Sequence, residues 1–270
     1  MDRAQRVNQE IQVPRRPNPA HPLKQRIIRK VWHMPSLSIE QADAMLGNEP
    51  ILLGKGAFGV AYLTSRKNAV VKFSFDYTAY VAALTEAQAM SALKAVPGVQ
   101  RLGGVCLERA MIATAYAGPI LYDWLCKADA LLPEEWFAIA IKVAEVFRAI
   151  HAKGIIHNDI KNDNICVKKT PNGVKVTVID FGMSKREGQR LYLGGSWTRD
   201  SHYPPEFFRT QGGKCSSLSD VYSVGKVLNQ ISSCVNLRTT SVLKWYKSSQ
   251  SEHADSRDGL DALLEALRSK

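Results

Sequence analysis

Four polar side chains on two short stretches of this chain are of the types that move a phosphoryl group. Asp159, Lys161 and Asn164 lie close together in the sequence, and Asp180 follows shortly afterwards. A carboxylate can orient a hydroxyl and take its proton, while an amide oxygen and a second carboxylate can bind Mg²⁺. An ammonium group can neutralise charge on a moving phosphoryl group. These residues therefore predict phosphoryl transfer from a magnesium-bound nucleotide to a hydroxyl.

The motifs around these residues resemble those of a known family. The eight residues that end at Asn164, His-Asn-Asp-Ile-Lys-Asn-Asp-Asn, resemble the catalytic loop of eukaryotic-type protein kinases of the serine/threonine type. The Asp-Phe-Gly that begins at Asp180 resembles their magnesium-binding loop. The resemblance implies that Asp159 orients the acceptor hydroxyl, assisted by Lys161, and that Asn164 and Asp180 hold Mg²⁺.

A glycine-rich stretch and a lysine extend the resemblance toward the N-terminus. Residues 54–60 read Gly-Lys-Gly-Ala-Phe-Gly-Val, typical of a loop whose main-chain N–H groups approach phosphates. Lys72 resembles the lysine that bridges the α- and β-phosphates of ATP and pairs with a glutamate, here Glu86. The full set of implied ATP contacts is Gly54, Lys55, Gly56, Ala57, Phe58, Gly59, Val60, Val70, Lys72, Glu86, Thr114, Ala115, Ala117 and Cys166.

The same resemblance implies which residues would contact the adenine ring. Residues 111–118 resemble the strand and hinge that receive the base, with Thr114 at the back of the pocket. Main-chain groups of Ala115 and Ala117 would meet the edge of the base. The side chains that would enclose the ring are Val60, Val70 and Cys166.

The order of predicted elements favours an α+β, bilobal, protein-kinase-like fold with ATP between the lobes. Short apolar runs divided by glycine predict a small β-rich lobe over residues 47–117, carrying one helix at 85–94. Residues 118–270 predict a larger, mostly helical lobe. Its helices are predicted from Pro133 to about Lys153, from Ser219 to Ile231 and from Leu260 to Leu267.

Further positions resemble the family or depart from it. Glu206 resembles the glutamate that closes the activation segment and pairs with an arginine, for which Arg238 and Arg257 are the candidates. Asp220 resembles the aspartate that anchors the catalytic-loop backbone. Asn158 replaces an arginine that often receives a phosphate on the activation segment, so we expect activity without such a phosphate.

The stretch after the predicted helix that ends at Ile231 is short, about forty residues. Compact kinases, including small viral ones, dispense with part of this region. The resemblance therefore implies a compact kinase with a shortened C-terminal lobe, either complete in itself or completed by a partner.

The composition excludes several classes of protein. Hydrophobic residues make up 45% of 270 residues, which suffices for packed domains, and no apolar run reaches the roughly 18 residues that a membrane helix needs. The N-terminus lacks the apolar core of a secretory signal. Five scattered cysteines favour reduced thiols over a disulfide framework or zinc site. We therefore expect a cytoplasmic or nuclear protein with no membrane contact.

The formal charge of +11 comes largely from the first thirty or so residues. This stretch is also rich in proline, and it predicts a disordered basic extension over residues 1–46. A solvated leader is the simplest interpretation. The alternatives are a nuclear-import signal and contact with nucleic acid or an acidic partner.

Three functions remain compatible with the sequence. The first is a serine/threonine protein kinase that transfers the γ-phosphoryl group of ATP to a protein hydroxyl. The second is a pseudokinase scaffold that binds nucleotide or a partner without transfer, although every catalytic side chain is present. The third is a small-molecule phosphotransferase, which the glycine-rich stretch, Glu206 and Asp220 disfavour.

Overall fold

The computed structural model describes residues 34–56 and 59–269. They form two compact units, one with the residues up to Leu84 and Gly103–Ala115, the other with Thr85–Leu102 and the residues from Tyr116 onward. Residues 85–102 thus join the second unit, whereas the sequence predicts them in the first lobe. Residues 1–33 of the predicted extension, and Ala57 and Phe58, lie outside the described residues.

A five-stranded sheet forms the centre of the first unit, with strand order β1-β2-β3-β5-β4. The strands are β1 (Ile51–Lys55), β2 (Gly59–Leu63), β3 (Ala69–Ser74), β4 (Leu102–Cys106) and β5 (Met111–Ala115). The pairs β1/β2, β2/β3 and β3/β5 are antiparallel. Strand β4 was not predicted because Gly103 and Gly104 weaken the strand pattern. A Cβ at Gly104 would lie 2.7 Å from Leu37 Cγ, so close packing explains that glycine.

One face of this sheet is covered by helix α1 (Ile39–Leu46), which corrects the prediction of disorder as far as residue 46. A capping box starts the helix, because Ser38 Oγ accepts from Gln41 N at 3.2 Å and Gln41 Oε1 accepts from Ser38 N at 2.9 Å. Ala42 is buried in a cluster with Phe73 and Met111. Packing on the sheet therefore orders a short helix that the sequence pattern left undetected.

Helix α2 (Tyr77–Ala92) begins eight residues before the predicted start at Thr85. Asp76 Oδ1 accepts a hydrogen bond from Ala79 N at 2.8 Å and so satisfies one main-chain donor of the first turn. Aromatic and β-branched residues in that first turn have low helix propensity, which hid the true start.

Helices form most of the second unit. They are α3 (Leu121–Leu125), α4 (Pro133–His151), α5 (Ser217–Ile231), α6 (Thr240–Ser249) and α7 (Leu260–Arg268). Pro133 opens α4, and Glu135 Oε2 accepts from Leu132 N at 2.8 Å. The predicted apolar face is buried along its length: Trp136, Ile139, Ala140, Val143, Ala144, Phe147 and Ile150.

Three two-stranded sheets position the loops of the second unit. They are β6 (Ile155–Ile156) with β9 (Lys185–Arg186), β7 (Ile165–Thr170) with β8 (Gly173–Val178), and β10 (Arg190–Leu191) with β11 (Gly213–Lys214). Strand β6 precedes the His-Asn-Asp loop and β9 follows the Asp-Phe-Gly loop. Their pairing therefore holds these two loops side by side.

Helix α6 was not predicted, although its cap is visible in the sequence. Thr239 Oγ1 accepts from Val242 N at 3.3 Å, and Trp245 Nε1 donates to Gly259 O at 2.9 Å. Helices α6 and α7 pack on each other, and they also contact α5 and α4 respectively. Among the described residues, none of the helices combines the length and apolar character that a membrane crossing requires.

Candidate active site

The loop that carries Asp159 is fixed from below by Asp220, which is fully buried in α5. One Asp220 oxygen accepts from His157 N at 2.8 Å and the other from Asn158 N at 2.9 Å. His151 Nε2 lies 2.9 Å from Asp220 Oδ2. The prediction that Asp220 anchors the loop backbone is confirmed.

Asn158 stands where the family that the motifs resemble often has an arginine, and it has a structural role. Its φ of 65° lies in the left-handed region, which asparagine adopts more readily than most residues. Its Nδ2 donates to Ile156 O at 3.3 Å and to Met183 O at 3.1 Å. The side chain thus ties the Asp159 loop to the segment after Asp-Phe-Gly.

His157 packs against Phe181 of the Asp-Phe-Gly loop. Their ring centroids lie 4.8 Å apart, and both side chains are fully buried. His157 Nε2 lies 3.1 Å from Ile179 O, and His157 Nδ1 accepts from Asp159 N at 3.2 Å. Because a carbonyl only accepts, Nε2 carries the proton. His157 therefore holds the two loops together.

The carboxylate of Asp159 is buried and bound by its own loop. Its Oδ2 accepts from Lys161 Nζ at 2.8 Å and from Asn164 Nδ2 at 2.9 Å. The structure thus brings these three predicted residues into direct contact.

Two residues that sequence reasoning missed bind the other oxygen of Asp159. Tyr203 Oη donates to Oδ1 at 2.8 Å, and His202 Nε2 lies 3.0 Å from the same atom. Burial by itself would raise the pKa of Asp159, but the hydrogen bonds from His202, Lys161 and Tyr203 and the charge of Lys161 lower it on balance. Asp159 is therefore ionised at neutral pH, and His202 Nε2 is a donor.

The β7/β8 hairpin brings Asn164 and Asp180 to one end. Ile165 pairs with Val178, and Ile179 N donates to Asn164 O at 3.0 Å. Asp180, with φ of 62°, follows immediately. Asn164 Nδ2 is used twice toward Asp159, which leaves the amide oxygen as an acceptor. An amide oxygen and a carboxylate are ligands that Mg²⁺ prefers, so these residues fit the predicted metal.

In the first unit, Val70, Lys72 and Thr114 share one face of the sheet. Val70 pairs with Thr114 on β5, and Lys72 lies two residues further along β3. Side chains alternate along a strand, and directly paired residues lie on the same face. Thr114 Oγ1 also donates to Val70 O at 3.5 Å. The sheet therefore groups these three predicted nucleotide contacts.

Val60 lies on the opposite face, which corrects its predicted place beside Val70 at the adenine ring. Val60 pairs with Phe73 and packs against the buried cluster beneath α1. Ala61 pairs with Lys72 and so shares its face. The alternation of side chains along a strand already contained this correction in the sequence. Ala61, two residues after the third glycine, shares the face of Lys72.

Different physical reasons account for the three glycines within residues 54–59. A Cβ at Gly59 would lie 2.2 Å from Phe73 O, so strand packing demands glycine there. At Gly54 and Gly56 a Cβ would meet none of the described atoms within 4 Å. Packing within the described structure therefore does not explain these two glycines, and close approach of the main chain to a ligand would.

The remaining predicted nucleotide contacts are placed as follows. Lys55 ends β1 and Ala115 ends β5, both in the first unit. In the second unit, Glu86 is buried in α2, Cys166 is buried in β7 and Ala117 is half-buried after β5.

Comparison with known proteins agrees with this geometry. The protein kinase domain family matches residues 49–254. This chain belongs to the protein kinase family. A probable serine/threonine-protein kinase, fnkE of Dictyostelium discoideum, is 38% identical over 94 residues, 34% of this chain and 7% of that protein.

Two further kinases match longer stretches. Serine/threonine-protein kinase pkn2 of Myxococcus xanthus is 28% identical over 187 residues, 64% of this chain and 22% of that protein. Another probable serine/threonine-protein kinase of Dictyostelium discoideum is 27% identical over 213 residues, 72% of this chain and 38% of that protein. The chain thus covers less than two-fifths of each of these kinases.

The kinase ion pair that closes the activation segment is also present. Arg257 donates to both Glu206 oxygens at 2.8 Å, and to Leu218 O at 3.0 Å. Of the two candidate arginines, Arg257 is the partner of Glu206. The sequence could not decide between them, because the contact joins residues 51 positions apart.

Proposed function

We propose that this chain is a serine/threonine protein kinase that transfers the γ-phosphoryl group of ATP to a protein hydroxyl. The observation that carries the proposal is the ionised Asp159 carboxylate, bound by Lys161 and Asn164. Asn164 and Asp180 stand together at the adjoining hairpin end. In a protein kinase, this combination orients an acceptor hydroxyl beside the metal-bound phosphates.

Each of these side chains has a distinct role in the proposed reaction. Asp159 accepts a hydrogen bond from the acceptor hydroxyl, for which it must be ionised, and its lowered pKa ensures this at neutral pH. Lys161, held at 2.8 Å from Asp159, offers positive charge to the phosphoryl group. The oxygens of Asn164 and Asp180 would hold Mg²⁺, which neutralises phosphate charge when bound.

The nucleotide contacts are proposed residue by residue, as the motifs of the family imply them. Lys72 would bind the α- and β-phosphates and pair with Glu86, and the main chain at Gly54 and Gly56 would approach the phosphates. The proposed adenine contacts are the side chains of Ala61, Val70, Thr114 and Cys166 and the main chain of Ala115 and Ala117. Ala61 replaces Val60 in this set because it shares the face of Lys72.

Serine and threonine are proposed as acceptors on two grounds. Lysine two residues after the catalytic aspartate is typical of serine/threonine kinases, and Lys161 holds that position. The relatives described above are serine/threonine kinases by name. Their low identity leaves the protein substrate to experiment.

The proposed setting is the cytoplasm or nucleus. All five cysteines are free, which suits a reducing compartment. Binding of an acidic partner or nucleic acid by the basic N-terminal extension stays a prediction.

Transfer of labelled phosphate from ATP tests the proposal. The full chain is assayed on itself and on a generic basic protein, beside Asp159→Asn and Lys72→Ala. We expect each variant to lose transfer by about 100-fold or more, the range for loss of a positioned acid–base group at Asp159 and of a charge-stabilising group at Lys72. Asp163→Asn, an exposed aspartate of the same loop, is the matched control and should stay active.

Two results would count against the proposal. Transfer by Asp159→Asn at the wild-type rate would exclude the assigned role of this carboxylate. Nucleotide binding by the wild type without transfer to any acceptor would instead favour a pseudokinase scaffold.

A further inference from the structure

The Asp159 carboxylate has no acceptor position left for a substrate in the described structure. An ionised carboxylate offers about four lone-pair sites, two on each oxygen. Two donors bind each oxygen at 2.8–3.0 Å. The donors are Lys161 and Asn164 on Oδ2, and His202 and Tyr203 on Oδ1. An acceptor hydroxyl can therefore reach Asp159 only by displacing one of them.

Tyr203 is the donor whose chemistry matches that of the acceptor. Lys161 and Asn164 belong to the Asp159 loop itself and have their own roles in the proposed reaction. His202 contributes a ring nitrogen. Tyr203 contributes a hydroxyl at 2.8 Å, which is the kind of group that the proposed reaction brings to Asp159.

Neighbouring contacts hold the main chain of His202 and Tyr203 in place. Ser223 Oγ donates to His202 O at 2.6 Å, and Trp197 Nε1 donates to Tyr203 O at 3.1 Å. Tyr203 N donates to Ser201 Oγ at 3.0 Å. Burial and the negative charge of Asp159 both raise the pKa of Tyr203, so its hydroxyl keeps its proton and remains a donor.

We propose that Tyr203 occupies the acceptor position of Asp159, so that it determines how tightly a protein acceptor must bind to be used. The proposal rests on the proposed function. An acceptor hydroxyl binds by displacing the Tyr203 phenol from Asp159 Oδ1. Because the Tyr203–Asp159 hydrogen bond is lost in this step, the apparent affinity of the enzyme for the protein acceptor is weaker. Once the phenol has moved away, the Asp159 carboxylate has the same free acceptor position as in a protein that lacks the Tyr203 hydroxyl. Tyr203 thus acts on the KM for the acceptor and leaves kcat unchanged.

Tyr203→Phe tests this inference by removing the hydroxyl and keeping the ring. Transfer to a generic basic protein should show a KM lower by about tenfold or more, the factor that one hydrogen bond to a charged group is worth, with kcat within about twofold. Hydrolysis of ATP without a protein should also rise, because water can take the vacated position on Oδ1. Tyr192→Phe makes the same change at an exposed tyrosine of the same segment and should alter neither value.

A second variant guards against loss of folding in Tyr203→Phe. Ser223→Ala removes the hydrogen bond to His202 O without touching Asp159. It should lower the acceptor KM in the same direction, by a smaller factor. Thermal melting of every variant shows whether it is folded at the assay temperature.

The outcomes separate this inference from the proposed function. An unchanged KM, or a lower kcat, in Tyr203→Phe overturns the inference, while loss of transfer in Asp159→Asn still supports the kinase assignment. Absence of transfer in both folded proteins overturns the inference and the proposed function together.

Discussion

Asp159 and Asp220 are two buried aspartates that serve the same loop through different kinds of donor. Asp220 accepts from the main-chain N–H groups of His157 and Asn158, which are themselves buried. Among the described residues, the donors to the Asp159 carboxylate are side chains, and two of these, Lys161 and His202, are 34% and 30% exposed. Main-chain donors cannot turn away from Asp220, whereas the half-exposed side chains of Lys161 and His202 can turn to water or to a substrate.

This difference separates a carboxylate that holds the fold from one that is available for chemistry. Removing Asp220 leaves buried main-chain N–H groups without an acceptor. Their full desolvation penalty then lowers the free energy of unfolding. Removing the Asp159 carboxylate leaves Lys161 and His202, which water can satisfy, and Asn164, which still donates to the main-chain oxygen of residue 159. Glu206 belongs with Asp220, because the side chain of its partner Arg257 has no exposed surface. The comparison predicts a ranking of stability effects.

The largest loss of stability is expected for Arg257→Ala. It leaves Glu206 as an uncompensated buried charge, so the free energy of unfolding should fall by about 3–5 kcal/mol. Arg238→Ala is the matched control, because Arg238 is exposed and should cost less than about 0.5 kcal/mol. Urea unfolding of both variants measures the difference. Equal effects would contradict the assigned pairing.

A smaller loss is expected for Asp220→Asn. The new amide keeps the size of the side chain, but only one of its two polar atoms can accept, so one buried N–H of the Asp159 loop loses its partner. We expect about 2–3 kcal/mol, again by urea unfolding. If Asp220→Asn were as stable as the wild type, these main-chain contacts would not anchor the loop.

The smallest loss, about 1 kcal/mol at neutral pH, is expected for Asp159→Asn. Because the folded pKa of Asp159 lies below its ordinary value of 3.8, the ionised carboxylate stabilises the folded state above that value. Below pH 4 the unfolded chain takes up the proton first, and this stabilisation is lost as the pH falls. The difference between wild type and Asp159→Asn should therefore shrink between pH 5 and pH 2. A difference that grows in acid would contradict the lowered pKa.

The sequence predicted those parts of the fold and site that local pattern determines. The helix from Pro133 follows from periodicity, and it was found as α4 with its apolar face buried. The residues of the Asp159 loop follow from a contiguous motif. Such features depend on neighbours in the chain, which a single sequence displays.

Features that depend on tertiary contact were missed. Packing on the sheet orders α1, although its capping box was visible in the sequence. The pairing of Arg257 with Glu206 and the contacts of His202 and Tyr203 with Asp159 join residues that lie 43 to 51 positions apart in the sequence. No spacing rule encodes such contacts. The error at Val60 differs, because strand alternation alone contained the answer.

The most direct test of the central claim is a single-turnover measurement of phosphoryl transfer by Asp159→Asn. It is made at a temperature where melting shows the variant to be folded, and ATP affinity is measured in the same sample. We expect unchanged ATP affinity with transfer slower by about 100-fold or more. A folded Asp159→Asn that transfers phosphate within about threefold of the wild-type rate would contradict it.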